Sequence, residues 1–231
     1  MRRPDLPGGT VSMARRKRAK DHRKLHTRFF RARNGHMSLE PCADLRSTCW
    51  LVDQSTPWGQ GISPAPGGFT SYARIRFIPD PEFFGQSSVG ANLPDRILSD
   101  KEKIEIALKI LYKYTQTSEE CYYAMWDGWG TDGINRNTPK MHLPDRDYWI
   151  LRGNIEDFSS WNAIDPIVWP YGLAPNPAFV WPADRAWAIT YDVDDHYAIV
   201  SADEGAIQEI VANKRLDGVR VAPEEQLPYW D

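Results

Sequence analysis

Cysteine is scarce: the 231 residues hold three, Cys42, Cys49 and Cys121, none in a CxxC spacing. An odd number so placed excludes a disulfide framework and a zinc knuckle, and it fits a reducing, cytoplasmic setting. Long apolar runs are missing too. No segment approaches the roughly 18 residues that suggest a membrane-spanning helix, and no apolar stretch follows the basic N-terminus as a signal peptide would require. The motifs Gly-x-Ser-x-Gly, HExxH, Walker A and GxGxxG are all absent. The glycines of PWGQGISPAPGG, residues 57–68, lack the Lys-Ser/Thr ending of a phosphate loop. No period of roughly 20–50 residues recurs, which argues against a solenoid or a propeller, and no motif calls for a cofactor.

What the chain has in quantity is aromatic residues, 12% of the total with ten tryptophans, and charge that is unevenly placed. Residues 1–37 hold 12 Lys+Arg against two Asp+Glu, a net +10, while the remaining 194 residues carry a net −13. A body this acidic repels a phosphate backbone, so nucleic-acid contact would have to run through the basic arm or a local patch. The core of that arm is residues 15–33, RRKRAKDHRKLHTRFFRAR, from Arg15 to Arg33. A charged terminal tail of this composition is ordinarily disordered, and Met13 and Met37 offer alternative translation starts. The expected organisation is therefore an arm over 1–37 and one globular domain over 38–231.

The periodicities predict an α+β fold, a mostly antiparallel sheet with two principal helices and long aromatic, proline-rich loops. LRSTCWLV, residues 45–52, reads as a first strand. FTSYARIRFI, residues 69–78, alternates Ala73, Ile75 and Phe77 against Arg74 and Arg76, a half-exposed strand with a basic outer face. The first helix is expected over 100–114, with Ser99 as N-cap, Glu102 completing a capping box, and Ile104, Ala107, Leu108 and Leu111 as its buried stripe. CYYAMW, residues 121–126, is apolar on both faces and so reads as a central strand. Residues 148–152 form another strand, and the connection 132–145 reads as polar loop. The section 154–182, with five prolines, reads as irregular. Residues 185–193 and 196–201 suggest a hairpin turning at Asp194 and Asp195. A second helix follows over 204–213 with Asp203 as its cap, then a short strand over 219–221.

Several residues are candidates for chemistry. Asp127, set between Trp126 and Gly128-Trp129 at a strand end, would act as a general acid or base if burial raised its pKa, with Trp126 and Trp129 stacking on a sugar or planar ligand. The competing reading is a strand-to-turn aspartate beside structural tryptophans. Asp192, Asp194 and His196 form the densest polar cluster. Asp194 and His196 are catalytic candidates, and the three together are an alternative metal set, although the Gly and distal Glu of an EF-hand are missing and Asx-turn chemistry alone accounts for the carboxylates. Arg152 and Arg185 are the best candidates for holding an anionic ligand by a bidentate contact.

At CYYAMWDGWG, PKMHLPDRDYWILRG and FVWPADRAWAITYDVDDHYAIVSADEGAIQEIV the sequence resembles a group of uncharacterised actinobacterial proteins. They share an aromatic strand ending in Trp-Asp/Glu-Gly, a Leu-Pro-x-Arg-Asp-Tyr strand and a Trp-Pro-x-Asp-Arg-x-Trp segment before the last helix. The likeness spans roughly residues 72–221. It implies a host class and a domain extent, and no mechanism. The helix, aromatic strand and Trp-bearing segments also look loosely like Smi1/Knr4-type immunity and scaffold proteins, a likeness of architecture alone.

Taken together, the expectation is a cytoplasmic, non-catalytic module, of immunity or regulatory type, that engages a protein partner through an aromatic and acidic surface and has no membrane role. The alternatives are a hydrolase-like enzyme on a small or sugar-like ligand, using Asp127 with the Asp192/Asp194/His196 cluster, and nucleic-acid binding through the arm. The last makes a sharp prediction. Binding to duplex DNA or RNA should weaken steeply with salt and disappear when residues 1–36 are removed, as a gel-shift titration at two salt concentrations would show.

Overall fold

Residues 121–126 set the plan, because a strand with apolar side chains on both faces needs neighbours on both edges and cover above and below. The computed structural model describes residues 39–53, 65–88, 91, 98–129, 137–144, 146–163, 175–191, 196–223, 225, 227–228 and 230. The basic arm and the residues Asp192, Asp194 and Asp195 lie outside these. Among the described residues there are nine strands: β1 (Glu40–Pro41), β2 (Ser71–Arg76), β3 (Cys121–Trp126), β4 (Lys140–Leu143), β5 (Arg146–Gly153), β6 (Phe179–Pro182), β7 (Ala188–Thr190), β8 (Tyr197–Ala202) and β9 (Gly218–Val221). They form one antiparallel sheet in the order β1-β5-β3-β6-β7-β8-β2-β9, with β4 pairing on β5. β3 is central, as its two apolar faces predict, lying between β5 and β6.

Two helices cover one face. α2 (Asp100–Leu111) begins with a complete capping box: the Ser99 Oγ accepts from the Glu102 N–H while the Glu102 carboxylate accepts from the Ser99 N–H. Its stripe of Ile104, Ala107, Leu108 and Leu111 is buried, the isoleucine and each leucine contributing roughly 1.5–3 kcal/mol over exposure. α3 (Glu204–Ala212) is capped by the Asp203 carboxylate, which accepts from the Ala206 N–H. Beneath the helices lies the cross-strand row Leu151–Tyr123–Val180–Ile189–Val200–Ala73.

The opposite face carries a second row, Ile150–Ala124–Phe179–Thr190–Ile199–Arg74. Here the structure corrects the expected first strand. Residues 45–52 are helical, a 3-10 turn Leu45–Thr48 running into α1 (Cys49–Val52). The Asp44 carboxylate accepts from the Arg46 N–H and starts the turn. Leu45, Thr48 and Leu51 then recur every three residues, the 3-10 period, and bring Leu51 into the apolar cluster that also holds Tyr122 and Trp181. High β-propensity in LRSTCWLV lost to a local cap and a ready-made apolar platform.

The basic outer face expected for β2 is corrected as well. Arg74 is only 5% exposed, its guanidinium donating to both Asp80 oxygens at 2.6 and 2.8 Å and lying 5.5 Å from the Tyr197 ring centroid. Arg76 reaches the same carboxylate at 3.0 Å and Asp217 at 2.5 Å. Elsewhere the loop expectations give way to short elements. β4 lies within 132–145, and 154–182 holds a 3-10 stretch, Ile155–Ala163, and β6. Strand β7 is shorter than expected because Arg185 takes a left-handed φ of 55° before it.

Removing the carboxylate from the Arg74–Asp80–Arg76 clasp tests its weight. Asp80→Ala leaves a buried guanidinium without its counter-charge. The expected loss is about 2–3 kcal/mol in urea unfolding, discounted because Asp80 itself remains 30% exposed. Burial alone would raise the Asp80 pKa, but the hydrogen bonds from Arg74 and Arg76 outweigh it and hold the carboxyl below its usual value. A depressed carboxylate contributes above its unfolded pKa and loses that contribution as pH falls through the folded one. The gap between wild type and Asp80→Ala should therefore be full above about pH 5 and shrink below about pH 4.

Candidate functional site

The register places the candidate residues at two ends of the sheet. Asp127 and Trp129 follow the last residue of β3 in a 3-10 turn, Asp127–Trp129. Arg152 sits opposite Tyr122, near the other end of that strand. Five residues of extended chain separate Tyr122 from Asp127, about 16 Å. Arg185 follows β6, whose last residue, Pro182, pairs with Cys121, so it belongs to the Arg152 end. His196 precedes β8 and lies at the Asp127 end, three strand spacings or about 14 Å across the sheet. An acid and a base that share a proton must stand about 3 Å apart or be linked by one water, so Asp127 and His196 do not form such a pair. Asp192 and Asp194 lie outside the described residues. Among the described residues no three His, Cys, Asp or Glu side chains converge as metal ligands.

At the carboxyl end of β3, Trp126 and Trp129 meet edge to face with centroids 5.4 Å apart, and the Arg146 guanidinium lies 5.2 Å from the Trp126 ring. Gly128 is required by this closeness, since a Cβ there would fall 2.2 Å from the Trp126 ring. The Asp127 carboxylate accepts from the Lys140 ammonium at 2.6 Å, and that ammonium stands 4.8 Å over the Trp149 ring. Asp127 is thus tied to a cation on β4, held as a structural carboxylate in a half-exposed aromatic patch. His196 has its ring 6.4 Å from that of Trp230, edge to face, and its carbonyl accepts from the Phe77 N–H.

The other end holds an aromatic wall between two arginines. Tyr122 stacks on Trp181 at 5.6 Å, Trp50 of α1 meets Trp181 at 6.1 Å, and the Arg185 guanidinium stands 5.9 Å from the Trp50 ring. Arg152, with a side chain 58% exposed, approaches Glu120 at 3.5 Å. The Tyr122 hydroxyl donates to that same carboxylate, and burial followed by this bond pushes its pKa up to about 12. Arg152 and Arg185 thus lie at the same end of the sheet, one beside the Glu120 carboxylate and the other over the Trp50 ring.

Of the residues that complete the two clusters, Lys140, Trp50 and Glu120 were not singled out from the sequence. Lys140 had a usable signal in its place before Met141 in a four-residue alternation. Trp50 had none, because its role depends on the turn that replaced a strand. Asp184 is a structural hub: burial would raise its pKa, but donors at Gln116 N–H, Ala186 N–H and Thr115 Oγ1 outweigh it and keep the carboxyl below its usual value. Searches of the chain against protein-family models, curated proteins and solved structures returned no match.

The thiols divide clearly. Cys121 is fully buried, and its pKa is pushed up to about 12, first by burial and then by the neighbouring carboxylates Asp184, Asp157 and Glu120. Cys49 is exposed and Cys42 half-buried. Maleimide at neutral pH is expected to label Cys49 and Cys42 in the folded protein and Cys121 only after denaturation, as intact-mass spectrometry would count.

Proposed function

We propose that this protein is a cytoplasmic interaction module without catalysis of its own, of regulatory or immunity type, which engages a protein partner through the aromatic patch at the carboxyl end of β3, flanked by Arg146 and the Asp127–Lys140 pair. The observation that carries the proposal is the Trp126–Trp129 pair with Arg146 on one side and the Asp127–Lys140 ion pair on the other, half-exposed at the end of the central strand. Tryptophan and arginine are the residue types that most often anchor interfaces, and a rigid strand end presents them at low entropic cost.

The state of the ionisable groups supports a binding role over a chemical one. Cys121, Tyr122 and Tyr123 are held protonated, chiefly by burial. Asp127 and Asp184 are each engaged by structural donors. The free thiols fit a reducing compartment, and among the described residues no helix is long and apolar enough to cross a membrane.

A pull-down from the native host tests the proposal. Immobilised wild type is expected to retain a defined protein. Trp129→Ala and Arg146→Ala should each reduce its capture at least about 10-fold with an unchanged melting temperature, while Arg152→Ala at the other sheet end leaves it intact. Background alone on the wild-type resin would refute the proposal.

A further inference from the structure

An open groove of about 470 Å³ runs between α2 and the 3-10 stretch Ile155–Ala163. Leu108, Ile155 and Phe158 form its apolar floor, and Tyr112, 47% exposed, stands at its mouth. The two walls run antiparallel. The Ile155 N–H donates to the Ser118 carbonyl at 2.8 Å, beyond the last turn of the helix, while the Lys101 ammonium meets the Ser159 carbonyl at 3.4 Å near its start. Lys101 also lies 5.9 Å from the Phe158 ring centroid, so it closes that end. The rim between holds two carboxylates, Glu105 and Glu156, against one ammonium, Lys109, and Glu105 makes only a loose contact with Lys101 at 3.7 Å. Apolar rings with flanking positive charge fit such a lining.

The chain enters the sheet beside this groove. β1 pairs antiparallel with β5, Glu40 opposite Arg152, so the residues before it head past Gly153 toward the segment that forms the second wall. Leu39 is 4% exposed and belongs to the buried cluster that holds Leu108, Ile155 and Phe158. A Cβ at Gly153 would fall 2.7 Å from the Leu39 side chain and 2.7 Å from the Asp157 carboxylate, which fixes how near the incoming chain lies to that wall. Residues 1–38, outside the described ones, therefore arrive at the Ile155 end of the groove. Their composition matches it. Arg28-Phe29-Phe30-Arg31 is a pair of adjacent aromatic residues with a cation on each side, and the chain has no other. Nine residues join Phe30 to Leu39, a reach of at most about 32 Å, whereas the groove from Glu105 to Tyr112 spans about 10 Å of helix. Asn34-Gly35, within that tether, is a dipeptide that readily reverses a chain.

We infer that the arm of residues 1–38 straps back onto its own body: Phe29 and Phe30 fill the α2 groove while Arg28 and Arg31 meet Glu105 and Glu156. Charge favours this occupant over a second copy's body, since residues 1–37 carry +10 and the remaining residues −13. Tethering supplies the rest. A chain of this length holds its end at an effective concentration on the order of millimolar, so even a contact of millimolar intrinsic affinity is about half-formed. While the arm is strapped down, its cations are neutralised by the body, and an anionic polymer must compete with the groove for them. This inference does not depend on the partner-binding patch at the end of β3.

Photocrosslinking on the full chain tests it. Phe30→p-benzoylphenylalanine should crosslink on irradiation to the two walls, residues 104–113 and 155–159, in peptides mapped by mass spectrometry, with a yield independent of protein concentration. Arg28→Glu with Arg31→Glu, which leaves the body untouched, should cut that yield at least about 5-fold at unchanged melting temperature, and adding Glu105→Lys with Glu156→Lys should restore it. Should the body-side pair disturb folding, Tyr112→Asp at the mouth takes its place and should lower the yield to the same extent. Crosslinks spread without preference over the surface overturn the inference. So do crosslinks between copies whose yield rises with concentration, a yield indifferent to the arm's charge reversal, a folded compensating variant that fails to recover, or an arm that crosslinks to copurified nucleic acid in place of the groove.

Discussion

The constraint from which most of this structure follows is that β3 is apolar on both faces. Tyr123 and Met125 point to one side, Tyr122 and Ala124 to the other, and all four are buried. A strand of that kind is stable only with pairing on both edges and a layer over each face. The edges are taken by β5 and β6. One face receives α2 and α3, whose stripes are long and regular. The other receives a single short turn of helix and an assembly of rings, Trp50, Phe69, Trp181 and Phe179, which fill volume where regular structure is sparse. The high tryptophan content is in this sense a structural requirement before it is a functional signal.

Polar groups are managed in a matching way. Arg74 occupies a position in a second-face row that is otherwise apolar except for Thr190, and its charge is tolerated because Asp80 comes back from the following turn to meet it. That same carboxylate fastens the turn bearing Phe83 and Phe84. A solution to one buried charge thus also stiffens a surface projection. Asp184 does comparable work at the opposite end of the sheet, joining the segment around Thr115 to the turn before β7 through bonds to both backbone and side chain. Asp127, the candidate carboxylate that lies among the described residues, is fastened in a similar way, by the Lys140 ammonium.

The local features of the chain were readable where one short-range rule dominates. The capping box at Ser99 and Glu102, the stripe of α2, the cap of α3 at Asp203 and the central place of CYYAMW all depend on residues within a few positions of one another, and the structure has each of them. The nine-stranded antiparallel sheet with helices packed on it agrees with the α+β expectation. The misreadings fall where tertiary contacts override propensity. LRSTCWLV turned into helix because an aspartate cap and an aromatic platform from β3 and β6 reward that shape. Arg74 went inside because Asp80 arrives from the next turn. Four-residue β4 and β6 carry too little pattern to be distinguished from loop.

The sequence alone determined the fold class, the two long helices, the central strand, the burial of the aliphatic stripes and the division between a basic arm and an acidic remainder. These follow from periodicity, capping and charge count, which are properties of neighbours along the chain. Only the tertiary structure decided which end of the sheet each candidate residue occupies. Strand order and direction set that, and they are properties of pairing across more than a hundred residues. Asp127 and Arg152 read as parts of one site when their segments are laid side by side. An antiparallel register places them at opposite ends of β3 and gives each its own aromatic company.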